Sequence, residues 1–281
     1  MNDLTQPGAA DEMVEQGVVP PPLRPRRKGI YILPNLFTVA SLFGGFYAIV
    51  MAMNDRFDMA AIGVFCAMVL DSLDGRVARM THTQTAFGEQ MDSLSDMVSF
   101  GAAPALIVYE WALRGLGKAG WIAAFVYCAC AALRLARFNT NIGIVDKRFF
   151  QGLPSPAAAA LVTGFIWVLD DYGFKDAARV DWLAWSAFGV TLYAGLTMVT
   201  NAPFYSFKDI SFKRSVPFIV IVAIALAIAV VNIDPPLVLF AAFCVYGVSG
   251  YAMYAYKRYK GRPVSVIATS TDEPDEEGLH R

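Results

Sequence analysis

Apolar residues run along most of this chain in long blocks separated by short polar joints. Blocks of about 20 predominantly apolar residues read as membrane-spanning helices. The pattern predicts eight, over residues 32–54, 57–80, 86–113, 119–140, 155–170, 181–201, 216–233 and 235–258. Residues 1–28 lack apolar periodicity and carry Pro20, Pro21, Pro22 and Pro25, as expected of a disordered arm. Residues 263–281 read as a disordered tail. The expected fold is an all-α, polytopic membrane bundle over residues 29–262. A tight turn is predicted at Asn232-Ile-Asp-Pro-Pro236, where proline suits the first turn of the next helix.

Composition agrees with a membrane class. Of 281 residues, 56% are hydrophobic and 17% charged, whereas a soluble domain is nearer a quarter charged. The net charge of −1 implies no nucleic-acid partner. Basic residues are distributed unevenly. With the N-terminus inside, the inward ends hold the clusters at residues 24–28, 76–79, 134–137, 147–148, 208–214 and 257–262. The outward side holds only Arg56, Arg114, Lys118, Lys175 and Arg179. Positive charge favours the cytoplasmic side, so both termini are expected there. Cys66, Cys128, Cys130 and Cys244 all lie in apolar blocks and read as packing residues.

One joint departs from this apolar plan. The second block ends in Asp71-Ser-Leu-Asp74-Gly75-Arg-Val-Ala78-Arg79, and the third opens with Gly88-Glu-Gln-Met-Asp92-Ser-Leu-Ser-Asp96. Asp71 and Asp74 share one helix face, as do Asp92 and Asp96. The short connection makes the two helices antiparallel neighbours. Four carboxylates then meet near the cytoplasmic boundary. Each Asp deep in a span costs about 2.5–3.5 kcal/mol, so four cost on the order of 10 kcal/mol before repulsion. Arg76 and Arg79 offset part of this. Clustered carboxylate oxygens also suit Mg²⁺ or Mn²⁺. Gly75, Ala78 and Gly88 leave room between the helices. Taken singly they fit close helix packing; within the whole pattern they fit a nucleotide approaching the backbone.

That pattern, D-x2-D-G-x2-A-R-x8-G-x3-D-x3-D, resembles the CDP-alcohol phosphotransferase signature at every fixed position. The resemblance implies a six-helix core, a homodimer and two divalent metals. It implies that Asp71, Asp74 and Asp92 are metal ligands and that Asp96 is both ligand and general base for the acceptor alcohol. It implies that Asp71, Gly75, Ala78, Arg79 and Gly88 line the CDP site. A lipid substrate fits such a boundary, with acyl chains in the bilayer and head group toward the cytosol.

Residues 34–45, 99–105, 132–139 and 150–156 resemble the bacterial phosphatidylserine synthases of that family. This implies a bacterial inner-membrane enzyme that takes CDP-diacylglycerol and L-serine. Arg134 and Arg137, three apart and followed by Asn139, are candidates for the serine carboxylate or a substrate phosphate, because guanidinium binds such groups bidentately. Positive-inside anchoring explains the same pair. Ser155-Pro156 reads as a helix cap. Asn35 and Thr38 share a face of the first helix, suited to the site or to interhelical bonding. His82 reads as a solvated joint residue. The basic stretches at residues 24–28 and 208–214 set topology or attract anionic lipid.

Two rival functions remain in view. The same chemistry serves glycerol 3-phosphate or inositol, although a phosphorylated acceptor calls for a denser basic pocket. Intramembrane carboxylates also occur in proton-coupled transporters. Such folds often contain internal repeats, yet the aspartate pattern occurs once and lies at one boundary.

Overall fold

The computed structural model describes residues 32–81, 83, 85–140, 149–175, 177–206 and 218–260. The two expected disordered ends, His82 and the basic stretch at 208–214 lie outside these residues. The helices are α1 (Ile32–Ala52), α2 (Phe57–Thr81), α3 (Ala86–Asp96), α4 (Ala103–Trp111), α5 (Lys118–Thr140), α6 (Ser155–Asp171), α7 (Asp181–Val199), α8 (Phe218–Ile233) and α9 (Pro235–Tyr259). With α3 and α4 forming one rod, these are the eight predicted blocks.

That third rod is not uniformly α-helical. Met97–Ala102 is a π-helical segment between α3 and α4. Pro104 has no N–H to give to the carbonyl four residues earlier, which belongs to Phe100. The Tyr127 hydroxyl of α5 donates to that carbonyl at 3.0 Å instead. The helix widens just after Asp96, in keeping with the association of π-bulges with functional sites.

Among the described residues, four helices are long and apolar enough to cross a membrane by length and composition: α1, α5, α7 and α9. The chain is a membrane protein on this ground. α6 and α8 have 17 and 16 residues. At about 1.5 Å per residue they fall short of a hydrocarbon core of about 30 Å. α2 is long enough, with 25 residues, but its last turns carry the aspartates and arginines.

α1 and α2 make the most extensive helix pair. A Cβ on Gly44 would lie 3.1 Å from Gly63 O and from the Ala67 Cβ, and one on Gly63 would lie 3.1 Å from Gly44 O. The missing side chains let the two backbones meet, as small residues do in membranes. α5 packs on α7, and α6 packs on α2, α7 and α9. α8 packs on α9 and leaves Leu226, Ile228 and Ile233 exposed. The α8–α9 joint is as tight as expected: Asp234 caps α9 by accepting from Leu237 N at 3.1 Å.

Beside the expected helices there is a small antiparallel pair, β1 (Phe149–Gln151) with β2 (Pro203–Tyr205). It ties the chain before α6 to the chain after α7. Gly152 then turns with φ of 77°, a conformation glycine adopts without steric cost. The N–H of Leu153 reaches Thr197 O at 3.1 Å. The start of α6 is thereby fixed beside the end of α7.

Candidate active site

The ends of α2, α5 and α7 and the starts of α1, α3 and α6 gather at one end of the bundle. Thr85 opens α3 as its N-cap, accepting from Gly88 N at 3.0 Å. The predicted pairing of α2 with α3 is looser than the short joint suggested. α1 packs closely on both, and the two aspartate helices face one another across a cleft.

The cleft is open to solvent and is lined by Asn35, Thr38, Asp74, Gly75, Ala78, Arg79, Thr83, Thr85, Gly88, Glu89 and Asp92. Gly75, Ala78, Arg79 and Gly88, all expected at the nucleotide site, are therefore brought together. A Cβ on Gly88 would sit 3.3 Å from Asn35 Oδ1 and 3.2 Å from Thr85 Oγ1. A Cβ on Gly75 would meet nothing nearer than Arg79 Nη1 at 3.6 Å. Gly88 permits a close helix contact, while Gly75 leaves open space.

Asp71, Asp74 and Asp92 each offer a carboxylate oxygen, and these oxygens lie within 4.8 Å of one another. Ligand oxygens at about 2.0–2.6 Å from one ion span such a separation. Asp96 abuts Asp71 from one turn further along α3. Asp92 Oδ1 and Asp96 Oδ1 are buried without a hydrogen-bond partner. Among the described residues, no Lys or Arg forms an ion pair with any of the four. The expected compensation by Arg76 and Arg79 thus does not take the form of salt bridges, and both side chains are exposed. Orphaned buried carboxylate oxygens are costly. Carboxylate oxygens in this number and spacing fit a divalent cation.

Thr38, which the sequence left between two roles, donates to Asp74 Oδ2 at 2.8 Å. Arg134 is 9% exposed and is the cation facing Asp96. Its Nη1 donates to Ser155 Oγ at 2.6 Å, while its Nε has no partner. Ser155 therefore is not the helix cap expected. Pro154 occupies the N-cap position, and the Ser155 hydroxyl is spent on the guanidinium. Arg137 does not join Arg134: its Nη1 turns to Val199 O at 3.0 Å and Asn201 Oδ1 at 3.4 Å. Asn139 donates to Ser93 Oγ at 3.0 Å, beside Asp92. Tyr246 of α9 also faces Arg134 and donates to Tyr205 O at 3.1 Å. Nothing in its apolar block distinguished it.

The family described as CDP-alcohol phosphatidyltransferase matches residues 31–201. The chain belongs to this family. The match spans α1 to α7, so α8 and α9 lie beyond it. The chain is similar to the CDP-diacylglycerol–serine O-phosphatidyltransferase of Helicobacter pylori strain J99, with 34% identity over 219 residues, 78% of this chain and 90% of the relative. It is similar to the enzyme of the same name from Methanocaldococcus jannaschii, 32% identical over 79% of this chain and 95% of the relative. The Mycobacterium leprae enzyme of that name is 30% identical over 79% of this chain and 75% of the relative.

Proposed function

We propose that this membrane enzyme transfers the phosphatidyl group from CDP-diacylglycerol to the hydroxyl of L-serine, giving phosphatidylserine and CMP. The observation that carries the chemistry is the convergence of Asp71, Asp74 and Asp92 beside a cleft lined by family-signature residues. The choice of serine is supported by the relatives' names, which agree across bacteria and an archaeon.

Asp71, Asp74 and Asp92 would hold divalent metal, with Asp96 as a further ligand. Two ions, Mg²⁺ or Mn²⁺, would supply charge neutralisation of the diphosphate and of the departing CMP. Gly75, Ala78, Arg79 and Gly88 bind the CDP moiety along the cleft, and Asp71, which does not line the cleft, meets it through the carboxylate cluster. Asp96 accepts the proton of the serine hydroxyl, a step needed because an alcohol is far too weak an acid to ionise at neutral pH. The serine oxygen then bonds to the lipid-side phosphorus, and the bond from that phosphorus to the CMP oxygen breaks. Arg134 takes the serine carboxylate, for which its unpartnered Nε is available. Asn139 holds Ser93 beside Asp92 from the end of α5, and Arg137 anchors that end to α7 through Val199 O.

The enzyme acts in a bacterial inner membrane as a homodimer, with both termini and the cleft on the cytoplasmic side. Its catalytic unit is residues 29–262, with residues 1–28 and 263–281 as cytosolic extensions. The test is an acceptor panel. Purified protein receives CDP-diacylglycerol, Mn²⁺ and, in turn, serine, glycerol 3-phosphate or inositol. Serine-dependent CMP release is expected; release only with another alcohol overturns the acceptor, and release with none overturns the activity.

A further inference from the structure

We infer that α1 is a hydrogen-bonded splint between the two aspartate helices, and that Thr38 is the positioning residue through which it shapes the carboxylate cluster. The inference rests on the metal-holding role proposed for that cluster.

Two rungs with the same connectivity carry it. In the first, Thr38 Oγ1 donates to Asp74 Oδ2 of α2 at 2.8 Å, while Ser95 Oγ of α3 donates to the Thr38 carbonyl at 3.1 Å. In the second, Ser41 Oγ donates to the Ala67 carbonyl of α2 at 3.0 Å, while Ser99 Oγ donates to the Ser41 carbonyl at 3.1 Å. Each α1 residue gives its hydroxyl to α2 and receives a hydroxyl from the third rod. Thr38 and Ser41 are three residues apart and Ser95 and Ser99 four apart, so each pair shares one helix face. All four are buried, at 4%, 0%, 0% and 0% exposed. No water competes for bonds at such positions, so their geometry is held.

Only the first rung ends on a carboxylate. Asp74 is 5% exposed, and the bond to Oδ2 orients the carboxylate that also offers an oxygen to the cluster. Through its carbonyl the same residue holds Ser95, which lies between Asp92 and Asp96 on α3. One residue thus links the carboxylates of α2 to those of α3. Partners that orient metal ligands commonly change affinity by about 10–100-fold when lost.

The test is Mn²⁺ binding by the full chain in detergent, followed by electron paramagnetic resonance without lipid substrate or serine. Thr38→Val keeps the shape and removes the hydroxyl; it is expected to weaken Mn²⁺ binding about tenfold or more. Thr38→Ser restores the donor and is expected to restore affinity. Thr191→Val is the control, since Thr191 is equally buried but bonds only within α7; it is expected to bind Mn²⁺ as the wild type does. Wild-type affinity in T38V overturns the positioning role while leaving the metal site intact. Equal weakening in T191V overturns it as well, because the loss would then be generic. A wild-type chain that binds no Mn²⁺ removes the metal reading and this role with it.

Discussion

The guanidinium of Arg134 is held by a 2.6 Å hydrogen bond from its Nη1 to the hydroxyl of Ser155, twenty-one residues away on another helix. This pair joins the end of α5 to the start of α6 and turns a buried cation toward Asp96. A hydrogen bond to a charged group contributes about 1.5–3 kcal/mol. Ser155→Ala is therefore expected to lower kcat/KM for serine by about tenfold or more, with the KM for CDP-diacylglycerol unchanged. Steady-state kinetics with each substrate varied in turn checks this. Arg134→Lys is expected to lose more, because an ammonium cannot reproduce the planar donor set.

Gly75 faces open cleft, whereas Gly88 faces Asn35 and Thr85. Gly75→Leu fills the space proposed for the nucleotide. It is expected to raise the KM for CDP-diacylglycerol about tenfold or more while the KM for serine holds, since the binding lost belongs to one substrate. Gly88→Ala is expected to destabilise the α1–α3 contact as well, by about 1–3 kcal/mol of overpacking. Thermal melting in detergent separates the two variants.

Asp92 carries an orphaned buried oxygen within the three-carboxylate group. Asp92→Asn is expected to abolish CMP release and to weaken Mn²⁺ binding, while leaving the fold intact. Removing a charge from a repulsive cluster relieves strain, so the melting temperature of the metal-free protein is expected to rise or hold. Calorimetry with and without chelator reads this directly.

Chelation of divalent metal is expected to stop turnover, with Mg²⁺ or Mn²⁺ restoring it. Ligand binding to the native state stabilises it by mass action, so the same titration is expected to raise the melting temperature of the wild type but not of D92N.

Much of this arrangement is legible in the sequence because each signal is local. The eight blocks follow from apolar runs, and the aspartates from helical spacing within two short stretches. Asp71, Asp74 and Asp92 meet as that spacing requires. What was not legible depends on contacts distant in sequence. The Thr38–Asp74 bond spans 36 residues and the Arg137–Val199 bond spans 62. Ser155 looked like a cap because Ser followed by Pro opens many helices; its actual partner lies on α5. The π-helical segment has a local cause in Pro104, but its partner Tyr127 is again remote. The β1–β2 pair joins two loops that carry no alternating pattern to announce it.

Transfer of the phosphatidyl group to serine, with Asp96 proposed to take the hydroxyl proton, is tested most directly at Asp96 itself. Loss of a general base costs about 10²–10⁴-fold in rate. The direct measurement follows CMP and phosphatidylserine together in one reaction, for the wild type and Asp96→Asn. The wild type is expected to form the two products in equal amounts, and D96N to form both at least about a hundredfold more slowly. Phosphatidylserine made by D96N at the wild-type rate, or CMP released by the wild type without phosphatidylserine, contradicts the account.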